Sequence, residues 1–252
     1  MEFLLLVALT GFITGILSGL FGIGGALILT PFLRIFLGQP DRIALGTTLP
    51  VIIPTALFGL LGRKKEGLFR KDVFVPASLG ILTGSILGSL LTGYIVIRYL
   101  MVATAFLIFV TGIKMAFRIS VAPGFLSHDF KVPAIYVDLV IGFTAGLLSG
   151  LLGIGGGLVL VPGFIYLRKL TPFEATTTSL GVILVATLPG SLIHTFLGHV
   201  DWKLALLLSL TAPPGSYVAS RLGLRMSGKK LEAAFGWFLI LVGFIFALSE
   251  IK

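Results

Sequence analysis

"GFITGILSGLFGIGGALILTP" runs from Gly11 to Pro31, and how it is read decides the fold. The stretch is apolar enough to enter a bilayer, yet it holds six glycines. Each glycine costs about 1 kcal/mol relative to alanine in a helix interior. A second stretch, "GFTAGLLSGLLGIGGGLVLVP" from Gly142 to Pro162, matches the first at 14 of 21 positions. Helix-weakening residues kept twice, in the same order, imply a requirement for a broken helix.

Around these stretches the composition is that of a membrane protein. Of 252 residues, 56% are hydrophobic and 12% charged, with a mean hydropathy of +1.10. A soluble domain carries about 25% charged residues. Apolar runs recur along the whole length between short polar joints, predicting a polytopic helical protein. The alternating polarity of a β-barrel is missing. The net charge of +9 raises the question of nucleic acid. However, the 19 Lys and Arg fall between the apolar runs, where the positive-inside bias accounts for them, so no nucleic-acid partner is predicted. With no cysteine, the chain has no disulfide, thiolate metal site or Cys nucleophile. No metal or other cofactor is implied. "MEFLLLVALTGF" lacks a basic leader and continues into the repeated motif, so it reads as a retained membrane segment rather than a signal peptide.

The offset of 131 residues persists without gaps. Ala44 falls on Ala175, Thr47 on Thr178, Gly59 on Gly190, Gly84-Ser85 on Gly215-Ser216, Ser89 on Ser220 and Gly112 on Gly243. The predicted organisation is a first transmembrane repeat over 1–118, a connecting loop over 119–133 and a second transmembrane repeat over 134–252. Internal duplication of this kind is the build of many secondary transporters.

Each repeat opens with a run too long for one crossing. Phe3 to Leu37 would measure about 52 Å as a helix, against a hydrocarbon core of about 30 Å. The run therefore breaks at Gly22-Ile23-Gly24-Gly25, and its partner at Gly153-Ile154-Gly155-Gly156. Three further spans follow in each half. Charge discriminates between a chain that continues across at the break and one that turns back. If each run crosses once, the basic residues divide ten to nine between the two faces. If each run returns, 14 share one face and only Arg34, Arg42, Arg98, Lys203 and Lys252 lie opposite. The second division is what the positive-inside rule expects. Five elements per half then make the halves inverted repeats, with both termini outside the cytoplasm. The expected fold is thus all-α and polytopic, each half a Gly-broken hairpin plus three transmembrane helices.

Broken backbone at membrane depth is tolerated where it is buried in protein or lines a cavity. A helix starting just after Gly24-Gly25 points unpaired N–H groups and a positive dipole end at that cavity, which suits an anion. Candidate substrate-binding residues are therefore Gly22, Gly24 and Gly25 with Gly153, Gly155 and Gly156, and the matched hydroxyls Ser18, Ser149, Thr47, Thr48, Thr178 and Ser179. Any of these hydroxyls can instead bond a carbonyl of its own helix. The ladders Gly11/Gly15/Gly19, Gly80/Gly84/Gly88 and Gly142/Gly146/Gly150 are read as helix-packing surfaces, which also leaves a homo-oligomer open. Glu174 in "TPFE" reads as a capping box with Thr171. Asp138 is either an intramembrane carboxylate or an interfacial one, and His194 is taken as an end-of-helix hydrogen-bonding group.

"SGLFGIGG" and "SGLLGIGGG", each followed by an apolar arm and proline, with the "TTS" segment and "GHVDW" further on, resemble the TauE/SafE sulfite exporter family, also called the 4-toluene sulfonate uptake permease family. The resemblance covers nearly the whole chain. Ala26 stands where the second copy has a third glycine, and "GLFRKDV" where it has "GHVDWKL". The resemblance implies a cell-membrane transporter, not an enzyme, of small sulfur oxyanions such as sulfite or organosulfonates. With a negative cell interior, expelling an anion gains about 2.3 kcal/mol per charge per 100 mV, so export is the expected direction. The competing readings are a passive anion channel and an intramembrane serine hydrolase using Ser18 or Ser149 with His194.

Overall fold

The computed structural model describes residues 2–64, 67–92, 94, 97–117, 133–153 and 155–251. The connecting segment expected at 119–133 lies outside these except for Pro133. The described residues form ten helices in order: α1 Glu2–Phe21, α2 Ala26–Ile35, α3 Asp41–Gly62, α4 Lys71–Leu91, α5 Ile97–Ala116, α6 Ala134–Leu152, α7 Gly157–Tyr166, α8 Pro172–Phe196, α9 Trp202–Gly223 and α10 Gly228–Ile251. Among the described residues there is no strand. The protein is an all-α, multi-pass membrane protein.

Local sequence explains where the helices start and stop. Thr171 accepts a hydrogen bond from the Glu174 N–H and Glu174 accepts from the Thr171 N–H, the capping box read from "TPFE", with Pro172 in the first turn. Asp201 caps α9 by accepting from the Lys203 and Leu204 N–H groups. Five helices, α1, α3, α4, α6 and α8, are long and apolar enough to cross a bilayer. The ten-residue α2 and α7 rise only about 15 Å each and cannot.

Both long runs turn back at their glycines. An added Cβ on Gly25 would sit 2.7 Å from Thr14, and Gly163 packs on Ile141, so α2 and α7 return along α1 and α6. An ion pair closes the second hairpin. Arg168, just past α7, lies 2.9 Å from the buried Asp138 carboxylate in the first turns of α6. The run re-emerges at the end where it entered.

Packing is dominated by contacts between the halves. α1 lies on α9, α6 on α4, α5 on α10, and α3 on both α8 and α9. The glycine ladders make these approaches. A Cβ on Gly15 or Gly19 would fall under 3.0 Å from the Ala212 or Ser216 backbone, and one on Gly84 or Gly146 equally close to Phe143 or Ile81. Residue numbers rise together along α1 and α9 and along α4 and α6. They run oppositely along α5 and α10, where Gly112 meets Gly236 and Gly243 meets Ala105, and along α3 and α8, where Gly46 meets His199 and Gly59 meets Leu180.

Polarity is arranged for lipid. Leu5, Val75, Leu79, Val140, Leu206, Leu210, Leu241 and Phe244 face outward, while Thr14, Ser18, Thr47, Thr48, Ser149, Thr178 and Ser179 are buried. A solvent-facing surface would reverse that distribution.

Candidate functional site

The glycines of each break have left-handed backbone. Gly22, Gly24 and Gly25 have φ of +70°, +75° and +93°, and Gly153, Gly155 and Gly156 have +62°, +77° and +77°. An L-residue would be strained by about 1–2 kcal/mol at each, so conformation alone accounts for these glycines being glycine. Gly25 and Gly156 are the N-caps of α2 and α7, and neither helix receives a side-chain cap. The first helical bonds run from the Ile28 and Leu29 N–H groups to Gly25 O, and from Val159 and Leu160 to Gly156 O. Ala26 and Leu27, like Gly157 and Leu158, stand ahead of these first bonds, at the helix positions whose N–H groups the helix itself does not satisfy.

The two breaks meet on one pair of side chains. A Cβ on Gly24 would lie 2.8 Å from Ile52 Cγ2 and 3.1 Å from Ile183 Cγ2. One on Gly155 would lie 3.1 Å from Ile52 Cδ1 and 3.8 Å from Ile183 Cγ2. Ile52 and Ile183, like Gly24 and Gly155, stand 131 positions apart. Ile23, Ile52 and Ile183 are fully buried. An open groove of about 420 Å³ runs between α3, α8 and α9, lined by Pro50, Pro54 and the outward-facing Leu188, Leu192 and Trp202 among others. None of the predicted binding residues lines it.

The hydroxyls divide into two groups. Those of the "TT" and "TS" segments tie one half to the other. Thr48 donates to Gly153 O at 2.9 Å and Ser179 to Gly22 O at 2.7 Å, each holding the last turn before the opposite break. Thr47 accepts from the Asp201 N–H at 2.9 Å and Thr178 from the Arg70 N–H at 3.1 Å, each fixing the start of a helix in the other half. All four are thus occupied by backbone groups. Ser18 and Ser149 differ: both are fully buried, one turn before a break, and neither hydroxyl has a protein partner. Thr14 and Thr30, not anticipated from sequence, join them as buried, unpartnered hydroxyls of the first hairpin.

Arg63 was also not anticipated, because on sequence it counts only as a loop charge. It is 1% exposed and hydrogen-bonds to Gly19 O, Leu20 O, Thr176 and Thr177. One signal was available: at the 131-residue offset it falls on His194. His194 Nε2 lies 3.1 Å from Gly150 O, the equivalent of Gly19 O, which is the end-of-helix role expected of it. Since a carbonyl only accepts, Nε2 carries the proton, and Nδ1 accepts from His199 Nδ1–H at 3.3 Å. Burial, reinforced by the charge of Arg42, lowers the His199 pKa and so favours its neutral ring. With both nitrogens of His194 engaged, no Ser–His dyad forms with Ser18 or Ser149.

Asp138 is buried in the first turns of α6, with Arg168 as its counter-charge. The contact lacks the alignment of a hydrogen bond. Asp72 links Arg168 to Arg70, and Arg70 reaches Glu174 at 3.2 Å, so one charged network joins α4, α6, α7 and α8 at this end.

The model of the sulfite exporter TauE/SafE family matches residues 7–246. The chain belongs to this family. Among relatives, the probable membrane transporter protein YunE of Bacillus subtilis is 30% identical over 256 residues, covering 91% of this chain and 90% of that one. The probable membrane transporter protein MJ0441 of Methanocaldococcus jannaschii is 29% identical, covering 92% and 91%. A probable membrane transporter protein of Xylella fastidiosa is 27% identical over 240 residues. No solved structure matches the chain. As a TauE/SafE protein the chain is a membrane transporter and not an enzyme, which removes the hydrolase reading.

Proposed function

We propose that this TauE/SafE protein carries small anions, sulfite or an organosulfonate, out of the cell across the cytoplasmic membrane. The observation that carries this reading is the pair of uncapped helix N-termini, α2 and α7, whose breaks converge on Ile52 and Ile183. Each N-terminus presents its first-turn N–H groups, which no side chain caps, and the positive end of a helix dipole, an anion site that needs no charged side chain. The buried, unpartnered hydroxyls of Ser18 and Ser149 supply the polar contacts beside them. Gly22, Gly24 and Gly25 with Gly153, Gly155 and Gly156 let the backbone approach the ligand. Thr47, Thr48, Thr178 and Ser179 serve as the cross-ties that transmit movement between halves.

The opposed directions of α3 with α8 and of α5 with α10 support two inverted repeats, 1–118 and 134–252, rocking about that centre. The end bearing Arg63, Arg70 and Arg168 is placed in the cytoplasm by the positive-inside rule, and both termini opposite. The isoleucine closure favours a carrier over an open channel. Outward movement follows the membrane potential, at about 2.3 kcal/mol per charge per 100 mV. The one buried carboxylate among the described residues, Asp138, is already paired with Arg168 and so is not free to hold a coupling cation.

The test is counterflow in proteoliposomes. Preloaded unlabelled sulfite or methanesulfonate should drive saturable accumulation of the labelled anion. Flux that never saturates would indicate a channel, and no flux of any oxyanion would reject the assignment.

A further inference from the structure

Arg63 is the largest fully buried side chain among the described residues. Its guanidinium has only neutral partners: the hydroxyls of Thr176 and Thr177, the latter at 3.2 Å, and the carbonyls of Gly19 at 2.6 Å and Leu20 at 3.0 Å. Nε is buried and unpartnered. Among the described residues no carboxylate pairs with it, and the described acids of that end are committed elsewhere, Asp72 and Glu174 to Arg70, Asp138 to Arg168 and Glu232 to the Tyr166 hydroxyl.

Taking an unpaired cation out of water costs several kcal/mol. Carbonyls at the end of α1 offset part of that through the helix dipole. Yet closing such a helix end does not require a permanent charge, because the matched His194 does it for Gly150 with an imidazole. What Arg63 adds over its counterpart is a fixed positive charge and a two-pronged edge suited to an oxyanion. It is also placed for that use. Gly19 and Leu20 stand within one turn of the break, and Thr176 packs directly on Gly22, where an added Cβ would lie 2.8 Å from Thr176 Cα.

We propose that Arg63 is the fixed counter-charge that receives the transported oxyanion at the α1–α8 end of its path. The inference rests on the anion-transport reading and adds a specific contact to it. In the conformation described, Thr176 and Thr177 occupy the guanidinium. An arriving oxyanion takes an Nη1–H, displacing a threonine hydroxyl, while Nη2 keeps the Gly19 and Leu20 carbonyls.

Binding to the full-length protein in nanodiscs is measured by calorimetry with two probes, sulfite held alkaline enough to be a dianion and the monoanion methanesulfonate. Arg63→Gln should weaken sulfite binding about ten-fold or more, as expected for a lost charge-assisted hydrogen bond. Methanesulfonate should weaken less, so the preference for the dianion falls, and Arg63→Lys should retain that preference. A purely structural cap would change both affinities by the same factor or neither, and either result overturns the proposal. If Arg63→Gln does not fold, Thr177→Ala decides. Freeing the guanidinium should tighten sulfite binding about two- to ten-fold, and unchanged or weaker binding refutes it. Wild-type protein that binds neither probe would instead reject the anion-transport reading itself, and this inference with it.

Discussion

Gly24→Ala separates the two demands that the break places on its glycines. Gly24 has φ +75°, which strains an alanine by about 1–2 kcal/mol. The new methyl would also stand 2.8 Å from Ile52 Cγ2 and 3.1 Å from Ile183 Cγ2, at the point where the two halves meet. Overpacking of a closed core adds about 1–3 kcal/mol. Gly38 provides the control: its φ is +60°, but nothing lies within 4 Å of an added Cβ. Gly38→Ala should therefore cost the backbone strain alone, about 1–2 kcal/mol, and Gly24→Ala about 2–5 kcal/mol. The assay is denaturant unfolding of the detergent-solubilised protein, followed through Trp202 and Trp237. Ile52→Ala completes the cycle by removing the methyl that clashes. By itself it should destabilise by about 2–5 kcal/mol, but combined with Gly24→Ala the total should fall short of the sum by about 1–3 kcal/mol. Transport should be lost in Gly24→Ala and retained in Gly38→Ala. If the two single variants unfold alike and the cycle shows no coupling, the breaks do not meet on Ile52, and the central junction described here is wrong.

Ser18→Ala and Ser149→Ala should leave stability unchanged or slightly higher, because each removes a buried hydroxyl without a protein partner, while weakening anion binding in calorimetry. Thr178→Val should instead lower stability by about 1–3 kcal/mol in the same unfolding assay, since it strands the Arg70 N–H. Arg168→Gln should destabilise by about 3–5 kcal/mol by leaving Asp138 buried and unpaired. Adding Asp138→Asn should recover most of that loss, and a double variant no better than Arg168→Gln would show that the pair does not close the hairpin. Gly84→Val should prevent α4 from seating on α6, giving aggregated rather than monodisperse material on size-exclusion chromatography.

Sequence alone determined the features that depend on near neighbours in the chain or on the duplication. Hydropathy and length imply a helical membrane protein, because the bilayer tolerates little else. The 131-residue register located both breaks, and the ten-to-nine against 14-to-five division of basic residues favoured a returning hairpin over a crossing one. The spacing of the glycine ladders marked the close helix contacts, and "TPFE" marked a helix start. These are local patterns, and local patterns survive in any tertiary context.

Tertiary structure decided what each polar side chain does. Thr48 and Ser179 look like pore lining in one dimension, yet their partners, Gly153 and Gly22, lie 105 and 157 residues away. Arg63 reads as one loop cation among 14 until Thr176 and Thr177, 113 and 114 residues on, are folded over it. Asp138 was ambiguous until α7 brought Arg168 back to it. The reason is common to all of them. In a low-dielectric interior a hydroxyl or a charge is governed by whatever donor or acceptor stands within about 3 Å, and which group that is depends on how the two halves interlock.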